Sequence, residues 1–211
     1  MAVTINTLTL GPLSNNVYFI TDTQTRETIL VDPTYQSNLA LDYAAKNGWI
    51  ISRIWITHAH FDHIAGVDQL IGLLGRNIEI GLHPDDLELW HNGGGARELG
   101  FFFEVKSEPN FFFRDKEKIK FNDCEIEVRK TPGHTRGHVI FCLPSVKCAI
   151  CGDLIFQGSV GRTDLPGGDH TTLLNSIQAE ILTLPPETRL LSGHGPETTV
   201  AREMAHNPFL K

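Results

Sequence analysis

The chain has 211 residues, enough for one well-buried domain, and its 41% hydrophobic and 20% charged residues exclude a disordered composition. A formal net charge of −7 argues against nucleic acid or an anionic membrane as the main partner, because both favour a basic face. No apolar run reaches the ~20 residues of a membrane-spanning helix, and the opening "MAVTINTLTLGPLSNN" lacks the basic and apolar regions of a secretory signal, so the expected compartment is the cytoplasm.

The alternating "VTINTLTL" reads as a strand, followed by strands "NVYFITD" and "ETILVDP" around the turn-like "TQTR". Helical spacing in "NLALDYAAKNG" stops at Gly48. The apolar strand "ISRIWITH" runs directly into "THAHFDHIAG", where three histidines and an aspartate crowd together. "HIAGVDQLIGLLG" reads as one helix, "NIEIGLH" as a strand and "PDDLELWHN" as a short helix with Pro84 at its start. Residues 92–116 break the rhythm with Gly93, Gly94 and Gly95 and the triplets Phe101–Phe103 and Phe111–Phe113. Two readings fit this segment: a loop pinned to the core by its phenylalanines, and an aromatic flap beside a pocket.

Strands follow at "KIKF", "CEIEVRKT", "HVIFCLP" and "KCAICGD", then a helix at "TTLLNSIQAEILTL", a strand at "TRLLSGH" and a final helix at "ETTVAREMAHN". Two similar halves, each mostly β then α and split near residues 95–115, predict a sheet-rich core with helices outside, within a single domain over 1–211. Cys124, Cys142, Cys148 and Cys151 are too sparse for a disulfide framework. Cys148 and Cys151 spell C-x-x-C, but in a strand residues three apart point to opposite faces, so they read as buried thiols rather than a metal grip.

Four features stand at the ends of predicted strands: His58-x-His60-x-Asp62-His63, His134 in "TPGHTRGH", Asp153 in "CGD" and His194 in "SGHGP". Neutral imidazole and carboxylate together suit zinc, iron or manganese. Alternate residues on an extended stretch point the same way, so His58 and His60 can grip one ion, while Asp62 and His63, where a helix begins, can reach a second. Seven such residues exceed the needs of one tetrahedral ion and fit two ions ~3.5–4 Å apart. Among the remaining histidines, His138 is the best placed to orient one of these residues, and His83, His91, His170 and His206 read as surface or supporting residues. Asp32 and Thr57 fit either a supporting role or an ordinary strand-end turn.

These motifs, in this order and over nearly the whole chain, resemble the metallo-β-lactamase superfamily. The resemblance implies an α+β fold, an αββα four-layer sandwich of two mixed β-sheets flanked by helices. It implies one metal on His58, His60 and His134, a second on Asp62, His63 and His194, and Asp153 bridging them. "GDLIFQGSVGRTDLPGGD" and the tail "SGHGPETTVAREMAHNPFL" are similar to the small hydroxyacylglutathione hydrolase (glyoxalase II) relatives. That branch implies hydrolysis of a small-molecule thioester, glutathione-linked in those enzymes, by attack of a metal-bridging hydroxide, with two divalent ions, zinc first and iron or manganese as alternatives. Asp62 is then the candidate to orient or accept the proton of the attacking water. A Lys that binds the glutathione backbone in the larger enzymes is matched by Arg162, and a nearby Tyr by Asp164. Arg162 is therefore the candidate substrate contact, and an Arg162–Asp164 ion pair that ties down the loop is the competing reading. The alternative activity is that of the persulfide dioxygenase branch, which also carries "GRTD" and would use one iron on His58, His134 and Asp153.

Overall fold

The structure, a computed structural model, describes residues 3–211. Met1 and Ala2, part of the stretch read for a secretory signal, lie outside the described residues. The first half builds β1 (Val3–Leu10), β2 (Asn15–Asp22), β3 (Glu27–Val31), α1 (Ser37–Lys46), β4 (Ile50–Trp55), α2 (Phe61–Ile64), α3 (Val67–Leu74), β5 (Glu79–Leu82), a 3-10 turn (Pro84–Asp86), α4 (Leu87–His91) and β6 (Phe111–Phe112). The second builds β7 (Lys118–Phe121), β8 (Cys124–Lys130), β9 (Val139–Leu143), β10 (Cys148–Gly152), the hairpin β11 (Ile155–Phe156) and β12 (Ser159–Val160), α5 (His170–Ser176), β13 (Arg189–Ser192), β14 (Thr198–Thr199) and α6 (Val200–His206).

Each half makes one mixed sheet. The first runs in the order β1-β2-β3-β4-β5-β6, antiparallel up to β3 and parallel from β3 to β6. The second runs β14-β13-β10-β9-β8-β7, with β10 and β13 parallel and the other pairs antiparallel. The two-residue side-chain period of a strand sorts the core into layers. Tyr18, Ile20 and Trp55 of the first sheet share one apolar cluster with Ile126, Phe141 and Ile150 of the second. The alternate residues Val17, Phe19 and Ile54 pack outward on Ala40 and Ala44 of α1, Leu70 of α3 and Trp90 of α4. On the other side Ile140, Ala149 and Leu190 meet Leu173 of α5 and Val200 of α6. The result is the expected αββα four-layer sandwich.

The C-x-x-C pair behaves as its strand setting predicts. Cys148 lies in the cluster between the sheets and Cys151 in the outer one, and all four cysteines are free and buried. Two readings need correction, and one that was open divides. The helix expected across "HIAGVDQLIGLLG" is two helices, broken at Gly66, whose N–H donates to Pro33 O and where a Cβ would stand 1.8 Å from Ser37 Oγ. The helix expected over "TTLLNSIQAEILTL" starts at His170 and passes from α5 into a π-helical turn at Ile177–Ile181. The segment 92–116 divides between its two readings: Phe113 is buried between the sheets, 5.4 Å from Trp55 and 5.3 Å from Phe141 by ring centroids, whereas Phe101 and Phe102 are exposed. Phe101 stands edge-on to Phe61, next in sequence to His60, with centroids 4.8 Å apart.

Candidate metal centre

The parallel strands β3, β4, β10 and β13 all deliver polar residues just past their C-terminal ends: Asp32, Thr57 to His63, Asp153 and His194. His134 comes from the turn between β8 and β9. The second half is stitched to the first here, because Val139 N donates to Thr57 O, Asn16 N to Gly193 O, and Tyr18 Oη to Ser192 O. A strand end fixed on a packed sheet leaves its loop little freedom, which suits a site needing several groups at set distances.

The seven predicted residues converge. One nitrogen each of His58, His60 and His134 lie within 4.8 Å of one another; Asp62, His63 and His194 form a second such group, and His58, His63 and Asp153 a third that joins them. Asp153 stands at the centre. Its Oδ1 is 3.4 Å from His63 Nε2, and its Oδ2 is 3.7 Å from His134 Nε2 and 3.6 Å from His194 Nε2. Gly193 makes room for it, since a Cβ there would lie 2.1 Å from Asp153 Oδ1 and 2.7 Å from His63 Cε1.

The surroundings decide which nitrogen of each ring faces inward. His134 Nδ1 lies 2.7 Å from the Arg162 carbonyl oxygen and His194 Nδ1 3.0 Å from that of Leu13; both partners only accept, so both Nδ1 atoms carry the proton. His63 Nδ1 donates to Asp32 Oδ2 at 3.0 Å. The Thr57 hydroxyl donates to the same oxygen at 2.7 Å, so it accepts from His58 Nδ1 at 3.0 Å. In all four rings Nε2 then faces inward: a bare lone pair on the neutral His58 and His134, and on His63 and His194, whose carboxylate neighbours raise their pKa, an atom that would give up its proton to a cation. His58 Nε2 and His134 Nε2 face each other at 3.2 Å with no proton between them, and His60 Nδ1 comes within 2.8 Å of the same His134 atom. His63 Nε2 and Asp153 Oδ1 are buried without any hydrogen-bond partner. Converging lone pairs and buried carboxylates need positive charge among them, and divalent cations supply it. The donor set fits metal.

The charge states divide the cluster. Burial, reinforced by neighbouring histidines, pushes His58 and His60 well below the usual imidazole range, and burial lowers His134, leaving all three neutral at pH 7. Burial also opposes charge on His63, but Asp62 and Asp153 outweigh it and hold its pKa well above the usual value. For Asp62 and Asp153 burial alone would raise the pKa; the neighbouring His63 reverses this and keeps both below the usual carboxylate range.

Orientation comes partly from expected residues. Asp32 and Thr57 hold the rings of His63 and His58, beyond what a strand-end turn requires. His138, the histidine expected to orient a ligand, instead packs beside His58 with centroids 5.1 Å apart, and its Nδ1 bonds Thr131 Oγ1 at 2.8 Å. Asn15 escaped the sequence reading. Its Nδ2 donates to Asp62 Oδ2 at 2.8 Å and lies 3.4 Å from His194 Nε2. The available signal was "NN" opening a strand, since asparagine is depleted in strands unless its amide has work at their ends. Arg162 reaches the site through its backbone carbonyl on His134, while its guanidinium grips Asp164 bidentately at 2.7 and 2.9 Å. His91 pairs with Glu108 on the surface, and His170 and His206 are exposed.

A four-layer sandwich with histidines and aspartates gathered at its parallel strand ends defines a metallo-hydrolase scaffold. The chain belongs to the metallo-β-lactamase superfamily, whose family model matches residues 10–194. It is 36% identical to the "Probable metallo-hydrolase YqgX" of Bacillus subtilis (strain 168), over 95% of this chain and 94% of that one. It is 31% identical to "Hydroxyacylglutathione hydrolase GloC" of Haemophilus influenzae (strain ATCC 51907 / DSM 11121 / KW20 / Rd), over 86% of each. Among solved structures it resembles the BLEG-1 B3 metallo-beta-lactamase, with TM-score 0.92, 33% identity and coverage of 99% of this chain and 100% of that one. It also resembles TTHA1623 in a di-iron-bound form, with TM-score 0.87, 37% identity and coverage of 97% and 100%. The likeness to ETHE1 from Myxococcus xanthus has TM-score 0.80 and 25% identity, covering 97% and 83%. Among the described residues no helix is long and apolar enough to cross a membrane.

Proposed function

We propose that this protein is a dinuclear metal-dependent thioester hydrolase acting on glutathione-linked thioesters such as hydroxyacylglutathione. The observation that carries the dinuclear reading is the meeting of the two ligand groups at Asp153, with four imidazole Nε2 atoms fixed inward. His58, His60 and His134 would hold one cation, Asp62, His63 and His194 the other, and Asp153 both. Zinc is the expected metal; iron and manganese suit the same donors, and the similar TTHA1623 is described as di-iron-bound. The glutathione link is supported by the likeness to GloC, and free buried thiols fit a reducing cytoplasm.

When bound, the cations supply Lewis acidity, bringing the pKa of water down toward ~7 and stabilising charge on a carbonyl oxygen. The remaining tasks fall to the chain. Asp62, fixed by the Asn15 amide, orients the attacking water and takes its proton. Asp32 and Thr57 keep the His63 and His58 Nε2 atoms inward. The leaving thiolate is stable enough to depart without a strong general acid. Arg162 is the candidate contact for the peptide carrier, and the Asp164 carboxylate in its fork occupies the place a substrate carboxylate would take.

A second reading is favoured by the likeness to ETHE1: one iron on His58, His134 and Asp153, with persulfide dioxygenase activity. Metal analysis of the purified protein, combined with hydrolysis of S-D-lactoylglutathione and oxygen uptake with glutathione persulfide, separates the two. Two ions and thioester cleavage are expected. One iron with oxygen uptake and no cleavage would overturn the hydrolase.

A further inference from the structure

One buried carboxylate beside the metal centre has no part in the scheme above. Asp86 ends the 3-10 turn after β5 and is 1% exposed. It accepts three hydrogen bonds, none from its own element. Ala59 N donates to Oδ2 at 2.9 Å, Thr135 Oγ1 donates to Oδ2 at 2.7 Å, and Gly137 N donates to Oδ1 at 2.6 Å. Ala59 sits between His58 and His60, in the first half of the chain. Thr135 follows His134 directly, and Gly137 stands two residues further on, in the second half. The turn closes on the carboxylate so tightly that a Cβ on Gly137 would lie 2.5 Å from Asp86 N and 2.9 Å from its Cγ. Burial pushes the Asp86 carboxyl up, and its three donors pull the other way. A fold seldom buries a carboxylate between two loops unless their relative position matters.

We infer that Asp86 is the positioning residue of the three-histidine group: it clamps the His58–His60 loop to the His134 turn and so sets the spacing of the three inward nitrogens. This rests on the proposal that the group holds a cation. Asn15 acts on Asp62 and Asp32 on His58 and His63, whereas Asp86 is bonded to both loops of this group and to no imidazole.

The test uses the full chain, stripped with a chelator and reloaded. Zn²⁺ affinity is read by competition with a chromophoric chelator, Co²⁺ coordination by its visible absorption, and folding by the melting temperature of the metal-free protein. Thr135→Val keeps the shape and removes one donor; Thr135→Ser keeps the hydroxyl. Thr135→Val is expected to bind the ion of the three-histidine group about ten- to a hundredfold more weakly, with shifted Co²⁺ bands. Thr135→Ser should match wild type in both, and Asp86→Asn, which turns an NH₂ toward donors, should lose at least as much as Thr135→Val. A tie that only holds the fold together would lower the metal-free melting temperature and leave affinity and spectrum unchanged in the folded variants; that result overturns the clamp. If Asp86→Asn does not fold, the Thr135 pair decides. Uptake of no cation by wild type overturns the metal reading and the clamp together, whereas normal uptake by both wild type and Thr135→Val overturns the clamp alone.

Discussion

Asp32 Oδ2 lies 3.0 Å from His63 Nδ1, and the same oxygen accepts the Thr57 hydroxyl that in turn bonds His58. One buried carboxylate thus orients a ring from each proposed ligand group. Its backbone sits at φ +54°, left-handed and uncommon for a residue with a side chain, at the point where β3 delivers it to the site.

Asp32→Asn tolerates that backbone and preserves the shape, but it weakens the acceptor that fixes both rings. We expect metal content after purification to fall and affinity to drop about ten- to a hundredfold, with little change in the melting temperature of the metal-free protein. Wild-type affinity in this variant would show that the two rings are oriented without Asp32.

Asp153→Ala is expected to abolish turnover while leaving the core packed. Asp153 follows β10, and its carboxylate touches the rings of His63, His134 and His194 rather than the apolar clusters. Thermal melting of the metal-free forms, compared with kcat of the loaded forms, checks this. Near-wild-type turnover with full metal content would rule out the bridging role.

Arg162→Ala should raise KM for a glutathione thioester about ten- to a hundredfold and leave a small uncharged thioester unaffected. The guanidinium is half-exposed and paired with Asp164, so it can exchange one carboxylate for another. An equal loss on both substrates would make it a loop-holding residue.

The thiols supply a pH prediction. Burial pushes Cys142 and Cys148 up from the ordinary 9.0 to about 12. Such groups stay protonated in the folded protein while the unfolded chain ionises, so stability is unaffected below pH 9.0 and falls as pH rises from there toward about 12. Denaturant titrations at neutral pH and at about pH 10 should show that loss. At pH 8 an aromatic disulfide reagent should find no reactive thiol in the native protein and all four after denaturation.

The candidate cluster was legible because histidines and aspartates stand out where apolar strands end, and the two-residue period of "HAH" already aims two rings together. The β-then-α halves announced a sheet-rich core with helices outside, and the family resemblance implied its four layers. What escaped depends on contacts made at long range. Asn15 meets Asp62 across 47 positions, and Asp86 reaches Ala59 across 27 and Gly137 across 51, so no local pattern announces either. The two-residue strands β6, β11, β12 and β14 exist only by pairing. The break at Gly66 comes from the backbone of a distant turn, and His138 turned out to fill space beside His58, which Thr57 already orients.

The order of the chain also imposes an order of assembly. The members of the three-histidine group have all been synthesised once residue 134 emerges, but His194 follows β13, which pairs with β10 and receives only β14 beyond it. On the dinuclear reading, a nascent chain could offer a first cation three nitrogens while its second sheet still lacks four of its six strands. The second position has no such early form. Its occupancy would mark a chain whose two sheets are both in place, making the cation an inspector of biosynthesis as well as a reagent.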